Sequence, residues 1–254
     1  MNVGFQLFDL TVRGSGQVKP EEAVDKLPEA VEIIQSGGLD VGMITTDITD
    51  INAPHAIDTL QTAAKLGIRY FKLGYWKYDG FGTIRKQHAE VKASLKDITA
   101  AAAELNMVAG FHNHSGPCFG ANLCDIEAVT EGLSPAHVGV YFDPCYATIE
   151  GGMDGWEMAF DLLAKRIVMV ALKDAYWKGS PGKPEGRAQD LVFCRMGEGN
   201  VNWPKFFELL KQINFTGPIS LHSEYQGSFS FAELTDREVI EQTGRDFQYV
   251  QSLL

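Results

Sequence analysis

Residues 68–112 read IRYFKLGYW (68–76), a turn containing two glycines, TIRKQHAEVKASLKDITAAAAEL (83–105), and then, past Asn106, MVAGFH (107–112). Within the middle stretch Ile84, Val91, Leu95, Ile98, Ala102 and Leu105 recur at spacings of three, four or seven, which places them on one face of a helix. Asn106 is a suitable stop, because asparagine tolerates the left-handed conformation that ends helices. The flanking runs are rich in Val, Ile, Phe and Tyr and lack strict polar alternation, which suits parallel strands covered on both faces. The stretch predicts one strand–helix–strand unit.

The same unit recurs along the chain. Further apolar runs at 4–12, 39–48, 138–143, 167–173 and 219–225 bring the expected strands to seven. Asn202 stands before Trp203 and Pro204 as an N-cap stands before a first turn, and Phe206, Phe207, Leu210 and Ile213 continue an apolar stripe. Thr235 and Glu238 form a capping-box pattern that opens the last helix. Units repeating at intervals of roughly 30 residues close either into a barrel or into a doubly wound sheet. No GxGxxG follows an early strand, and seven units lie nearer to eight than to the five or six of an open sheet. The expectation is an α/β protein with a TIM (β/α)8 barrel as a single domain over residues 1–254, its first βα unit missing or truncated.

Composition narrows the function classes. Hydrophobic residues at 45% and charged residues at 22% describe a soluble globular chain. A net charge of -11, from 22 basic against 33 acidic residues, opposes nucleic acid and anionic lipid as partners. No apolar run reaches the roughly 18 residues a membrane span needs, and the start has no charged segment followed by an apolar one, so a cytoplasmic protein is expected. Four cysteines without a CxxC pair read as reduced thiols. The polar stretch 178–189, with its glycines and prolines, is either an active-site loop or a plain surface excursion.

In a parallel barrel, chemistry sits where strands end and βα loops begin. The expected strand ends carry Asp9 and Arg13, Thr45 and Asp47, Lys72 and Tyr75, His112, Asn113 and His114, Asp143, Lys173 and Asp174, and His222 with Glu224. His112 and His114 are two apart, as are His222 and Glu224, so each pair shares a face of a regular strand. Taken singly, a strand-end His is commonly structural and an Asp before Pro commonly starts a turn. Their convergence on one mouth is what a site requires. His, Asp and Glu from separate strands suit Mn²⁺, Zn²⁺ or Co²⁺ better than Ca²⁺. MGEGN at 196–200 could hold a phosphate or a sugar hydroxyl, or could simply be a tight loop. Aromatics from Phe5 and Phe8 through Tyr75, Trp76, Tyr141 and Tyr146 to Trp177 could form a sugar platform or pack the core.

At FHNHSG (111–116), VGVYFDPCYATIEGG (138–152), VALKDAYW (170–177), MGEGNVNWPKFFELL (196–210) and GPISLHSEY (217–225), and in the opening DLTVR (9–13), the chain resembles the sugar phosphate isomerase/epimerase group of xylose-isomerase-like barrels. The resemblance implies a divalent metal held by Glu, Asp, His and Glu from four strands, and proton transfer next to a carbonyl. Asp143 stands at the family Asp and Glu224 at the last Glu, while His112 or His114 takes the place of the first Glu. Ala171 and Tyr146 stand where histidines are usual, and Lys173, on the same strand face as Ala171, could replace part of a metal's charge.

The resemblance thus implies an isomerase or epimerase of a small keto sugar or polyol. Asp143, Glu224 and His112 would be the metal ligands, and Glu224, Lys173 and His112 the catalytic groups. Arg13, Lys72, Tyr75, His114, Tyr146 and His222 would contact a small carbohydrate substrate. A lyase or hydratase on 3-keto-sugars or keto-inositols begins with the same proton abstraction, and a metal-free, non-catalytic sugar-binding barrel is the reading from a different class. Many barrels pair, so a homo-oligomer is compatible with the chain.

Overall fold

A computed structural model describes residues 4–178 and 191–254. Seven parallel strands, β1 (Leu7–Val12), β2 (Asp40–Thr46), β3 (Tyr70–Lys72), β4 (Val108–His112), β5 (Val138–Phe142), β6 (Ile167–Leu172) and β9 (Ile219–Leu221), form one sheet in that order. The sheet curls into a nearly closed barrel. Helices α1 (Ala23–Ser36), α2 (Ala56–Lys65), α3 (Ile84–Glu104), α4 (Leu123–Thr130), α5 (Pro144–Leu163), α6 (Trp203–Gln212) and α7 (Asp236–Gln251) alternate with the strands. The expected unit at 68–112 forms as β3, α3 and β4, with Asn106 at φ 53° where the chain leaves the helix.

The caps read from sequence also form. The Asn202 side chain accepts the Lys205 N–H at 3.2 Å. The Thr235 side chain accepts from the Glu238 backbone while the Glu238 carboxylate accepts the Thr235 N–H at 2.9 Å. Two expected strands are less than half as long as their apolar runs. In the 68–76 run only Tyr70–Lys72 pairs on both sides, because beyond it the Gly74 N–H turns to the Ile48 carbonyl. In the 219–225 run the strand ends at Leu221 and the polar residues after it bend into the mouth.

A two-stranded antiparallel sheet of β7 (Asp174–Trp177) and β8 (Leu191–Cys194) follows β6 directly and was not expected. Residues 179–190, which include nearly all of the candidate loop at 178–189, lie outside the described residues.

Two cores hold the molecule. Outside the barrel, Phe142 of β5 packs on Phe160 of α5 and Phe206 of α6, with Trp156 and Trp203 fully buried around them. Inside, Met43, Tyr141, Met169 and Ala171 form a separate small layer. Gly110 makes that layer possible, since a Cβ there would overlap the Met169 methyl and come 3.0 Å from the Tyr141 Cβ. Ala171 is therefore a packing residue.

The two ends of the sheet, β1 and β9, share no main-chain ladder among the described residues. Asp9 bridges the seam, accepting from the Ser220 hydroxyl at 3.0 Å and the Thr45 hydroxyl at 2.9 Å. A cavity of about 370 Å³ opens along it, lined in part by Phe8, Asp9, Ile219 and Ser220.

Candidate active site

Asp143, Lys173, Glu224 and His112 meet at one rim. Asp143 ends β5, and its Oδ1 accepts the Tyr146 N–H at 3.0 Å, capping α5, while Pro144 supplies the pre-set first turn. Its other oxygen, Oδ2, lies 3.3 Å from Lys173 Nζ and 3.3 Å from His112 Nε2. Lys173, at the kink between β6 and β7, also donates to Glu224 Oε1 at 2.9 Å. Lys173 is buried while the Glu224 side chain is 41% exposed, so the glutamate is the carboxylate a ligand can reach.

Burial alone would depress the Lys173 ammonium, but Asp143 and Glu224 outweigh it and hold the group well above the ordinary lysine range. The ring of Tyr146 lies 3.8 Å beneath the ammonium and that of Phe193, from β8, 5.4 Å away.

The histidines around this centre are neutral. His112 is fully enclosed, and burial, reinforced by Lys173 and Lys72, lowers it well below its usual range. A carboxylate only accepts, so His112 Nε2 carries the proton toward Asp143 and Nδ1 accepts from the Tyr75 hydroxyl at 2.7 Å. Burial also lowers His114, whose Nδ1 donates to the Ser115 carbonyl at 2.7 Å, leaving the lone pair on Nε2. Its ring lies between Tyr146, at 4.3 Å, and Tyr75, at 4.7 Å. Burial keeps Tyr75 and Tyr146 protonated by raising both phenols.

The remaining expected residues surround this cluster. Lys72 sits 3.8 Å over the Tyr75 ring and donates to the Leu73 carbonyl at 2.7 Å; burial lowers it to about 8. Arg13 ends the β1 side of the mouth, and its Nε is buried without a hydrogen-bond partner. His222 pairs with the Tyr141 hydroxyl at 3.0 Å and lies 4.0 Å from Asp9, and burial brings it down to about 3. It belongs to the polar interior around Asp9.

Three expectations change. Among the described residues no group of three His, Cys, Asp or Glu side chains could hold a metal ion. Asp143 and Glu224, expected as ligands, instead share the Lys173 ammonium, and His112, also expected, is engaged by Asp143 on one nitrogen and Tyr75 on the other, so this donor set does not fit a divalent metal. The glycine loop MGEGN binds an internal carboxylate. Asp174 Oδ2 accepts the N–H groups of Gly197 and Gly199 at 3.0 and 3.1 Å and the Trp203 indole at 2.8 Å, which leaves those donors unavailable to a phosphate. Phe5 packs against Phe247, with ring centres 4.5 Å apart and planes tilted by 39°, and Phe8 lines the seam, so neither belongs to a sugar platform.

Asn113, which was not among the expected site residues, holds the centre in place. Its amide donates to the Asp143 carbonyl at 2.9 Å and accepts the Asp143 N–H at 2.7 Å, which fixes the carboxylate against the end of β4. Its place between two histidines was the available signal.

Comparison with known proteins places this geometry in a family. The 3-keto-D-glucoside 4-epimerase of E. coli superposes with a TM-score of 0.70 at 14% identity, covering 99% of this chain and 90% of that one. The D-allulose 3-epimerase of Methylomonas sp., in complex with D-allulose, gives 0.69 at 15% identity over 100% and 88%. A probable 3-DHS dehydratase of Bacillus anthracis gives 0.68 at 13% identity over 98% and 90%. No curated protein matches the chain. At these identities the likeness carries the fold alone. The model of the xylose isomerase-like TIM barrel family matches residues 2–247, and the chain belongs to that family.

Proposed function

We propose that the protein is a sugar isomerase or epimerase that moves a proton on the carbon next to the carbonyl of a small keto sugar or polyol. One observation carries the reading: a buried ammonium, Lys173, is held 2.9 Å from the accessible carboxylate of Glu224 at the barrel mouth. Removing a proton next to a carbonyl places negative charge on the carbonyl oxygen, and stabilising that charge is the main requirement. Lys173 meets it by donating to the oxygen of the enediolate. Glu224 takes the proton from carbon.

A second acid or base is needed for the proton to return at another face or another carbon. His114 suits the part of the second base, being neutral with its lone pair on Nε2. It takes the proton of the substrate hydroxyl and passes it to the former carbonyl oxygen, while Glu224 returns its proton to the neighbouring carbon. Tyr146, kept protonated by burial, donates to a substrate hydroxyl, Tyr75, whose own proton goes to His112 Nδ1, accepts from one, and the Arg13 guanidinium supplies further donors at the β1 side. The epimerases among the structural neighbours agree with the reaction class. A probable dehydratase is also among them, and a dehydration of a keto sugar would share the first proton abstraction and part from the proposed reaction when a β-leaving group departs.

Solvent-deuterium incorporation into a panel of ketoses, keto-inositols and 3-keto-glycosides tests the proposal. The wild type should exchange a proton next to a carbonyl in at least one compound, and Glu224→Gln should slow that exchange by about 100-fold or more. No exchange across the panel would refute it. Exchange followed by loss of water would assign the lyase reaction instead.

A further inference from the structure

The side chains that converge in the mouth converge on a cation the chain itself supplies. Lys173 Nζ lies 2.9 Å from Glu224 Oε1, 3.3 Å from Asp143 Oδ2 and 3.8 Å from the centre of the Tyr146 ring, so two carboxylates and one ring face surround the ammonium. We propose that this ammonium permanently occupies the cation position of the site, so that the protein works without a divalent ion and accepts one only when the lysine is removed. The inference concerns the same site as the proposed proton transfer. Its test reads metal content rather than turnover, so either can fail alone.

Three observations exclude a second cation while the lysine is in place. An ion bound to both Asp143 and Glu224 would have to share the space between them with Nζ, and two positive charges at contact distance in a buried site repel strongly. The His112 imidazole offers no lone pair toward this position, because Nδ1 accepts from Tyr75 while Nε2 faces Asp143 with its proton. The neighbouring position on β6, Ala171, has no donor atom and packs with Met43, Tyr141 and Met169 in the barrel interior.

The arrangement also explains why Lys173 is buried without losing its charge. Breaking up such a buried ion group leaves unpaired carboxylates, a state that a divalent ion relieves. Lys173→Ala should therefore turn the cradle of Asp143 and Glu224 into a metal site, with His112 or His114 free to rotate in.

The experiment is Co²⁺ binding, followed by elemental analysis after gel filtration and by the visible absorption of protein-bound Co²⁺. Wild-type protein purified without chelator should carry no stoichiometric transition metal and develop no Co²⁺ band. Lys173→Ala should bind Co²⁺ stoichiometrically and about 100-fold more tightly than wild type, and adding Asp143→Asn should abolish the gain. The wild-type measurement decides the matter even if Lys173→Ala does not fold. Stoichiometric metal on the wild type that is lost in Asp143→Asn overturns the proposal, as does a folded Lys173→Ala protein that binds no Co²⁺.

Discussion

Asp174 and Lys173 are adjacent in sequence and do opposite things. The Lys173 side chain enters the mouth, while the Asp174 carboxylate accepts from Gly197, Gly199 and Trp203 through Oδ2 and from Ala175 and Val201 through Oδ1. An amide can accept on one atom only, so Asp174→Asn turns two donors against that shell. It should cost about 3 kcal/mol in urea unfolding. His222 allows a test of pH. Its folded pKa of about 3 lies below the ordinary value of 6.5, so the unfolded chain takes up a proton that the folded chain refuses between those values. Stability from this group is present above 6.5 and is lost as pH falls toward 3. Unfolding free energies measured from pH 7 to pH 4 should fall less steeply in His222→Gln than in wild type, by up to about 1.4 kcal/mol per pH unit.

At the scale of elements, the site depends on how strand ends are tied. β4 and β5 pair through Phe111 with Val140 and His112 with Tyr141, and Asn113 continues the link past the last rung by a two-way hydrogen bond with the Asp143 backbone. Asn113→Ala should lower stability by about 2–4 kcal/mol, through two unsatisfied buried backbone groups, in a denaturant titration. The helices α3, α6 and α7 were legible because each rests on a local pattern, such as the Thr235 and Glu238 box or the stripe from Ile84 to Ala102. The β7–β8 pair was not. LVFC at 191–194 is four residues long, and what makes it a strand is its ladder with 174–177, a contact that no local pattern encodes.

For the molecule as a whole, the seam between β1 and β9 is the weak line. Strands β2 to β6 are paired on both edges, whereas β1 and β9 each have one paired edge and are linked to each other by the Asp9 side chain. Amide hydrogen exchange should therefore be faster in β1 and β9 than in β4 and β5, by about tenfold or more at native pH. Among the described residues no helix is long and apolar enough to cross a membrane. All four cysteines, Cys118, Cys124, Cys145 and Cys194, are free thiols, as their spacing suggested.

The sequence by itself determined the alternation of seven parallel strands with helices, the caps of α6 and α7, and the list of polar residues at strand ends. Periodicity and capping are local, and a parallel strand's polar end is also its mouth end. Only the tertiary structure decided which of those residues share one centre. Lys173 meets Glu224 across 51 residues of chain, and Asp143 is fixed by Asn113 across 30. It also decided that Asp174 fills the glycine loop and that an ammonium stands where a metal was expected, because distances between side chains on different strands follow from how the barrel curls.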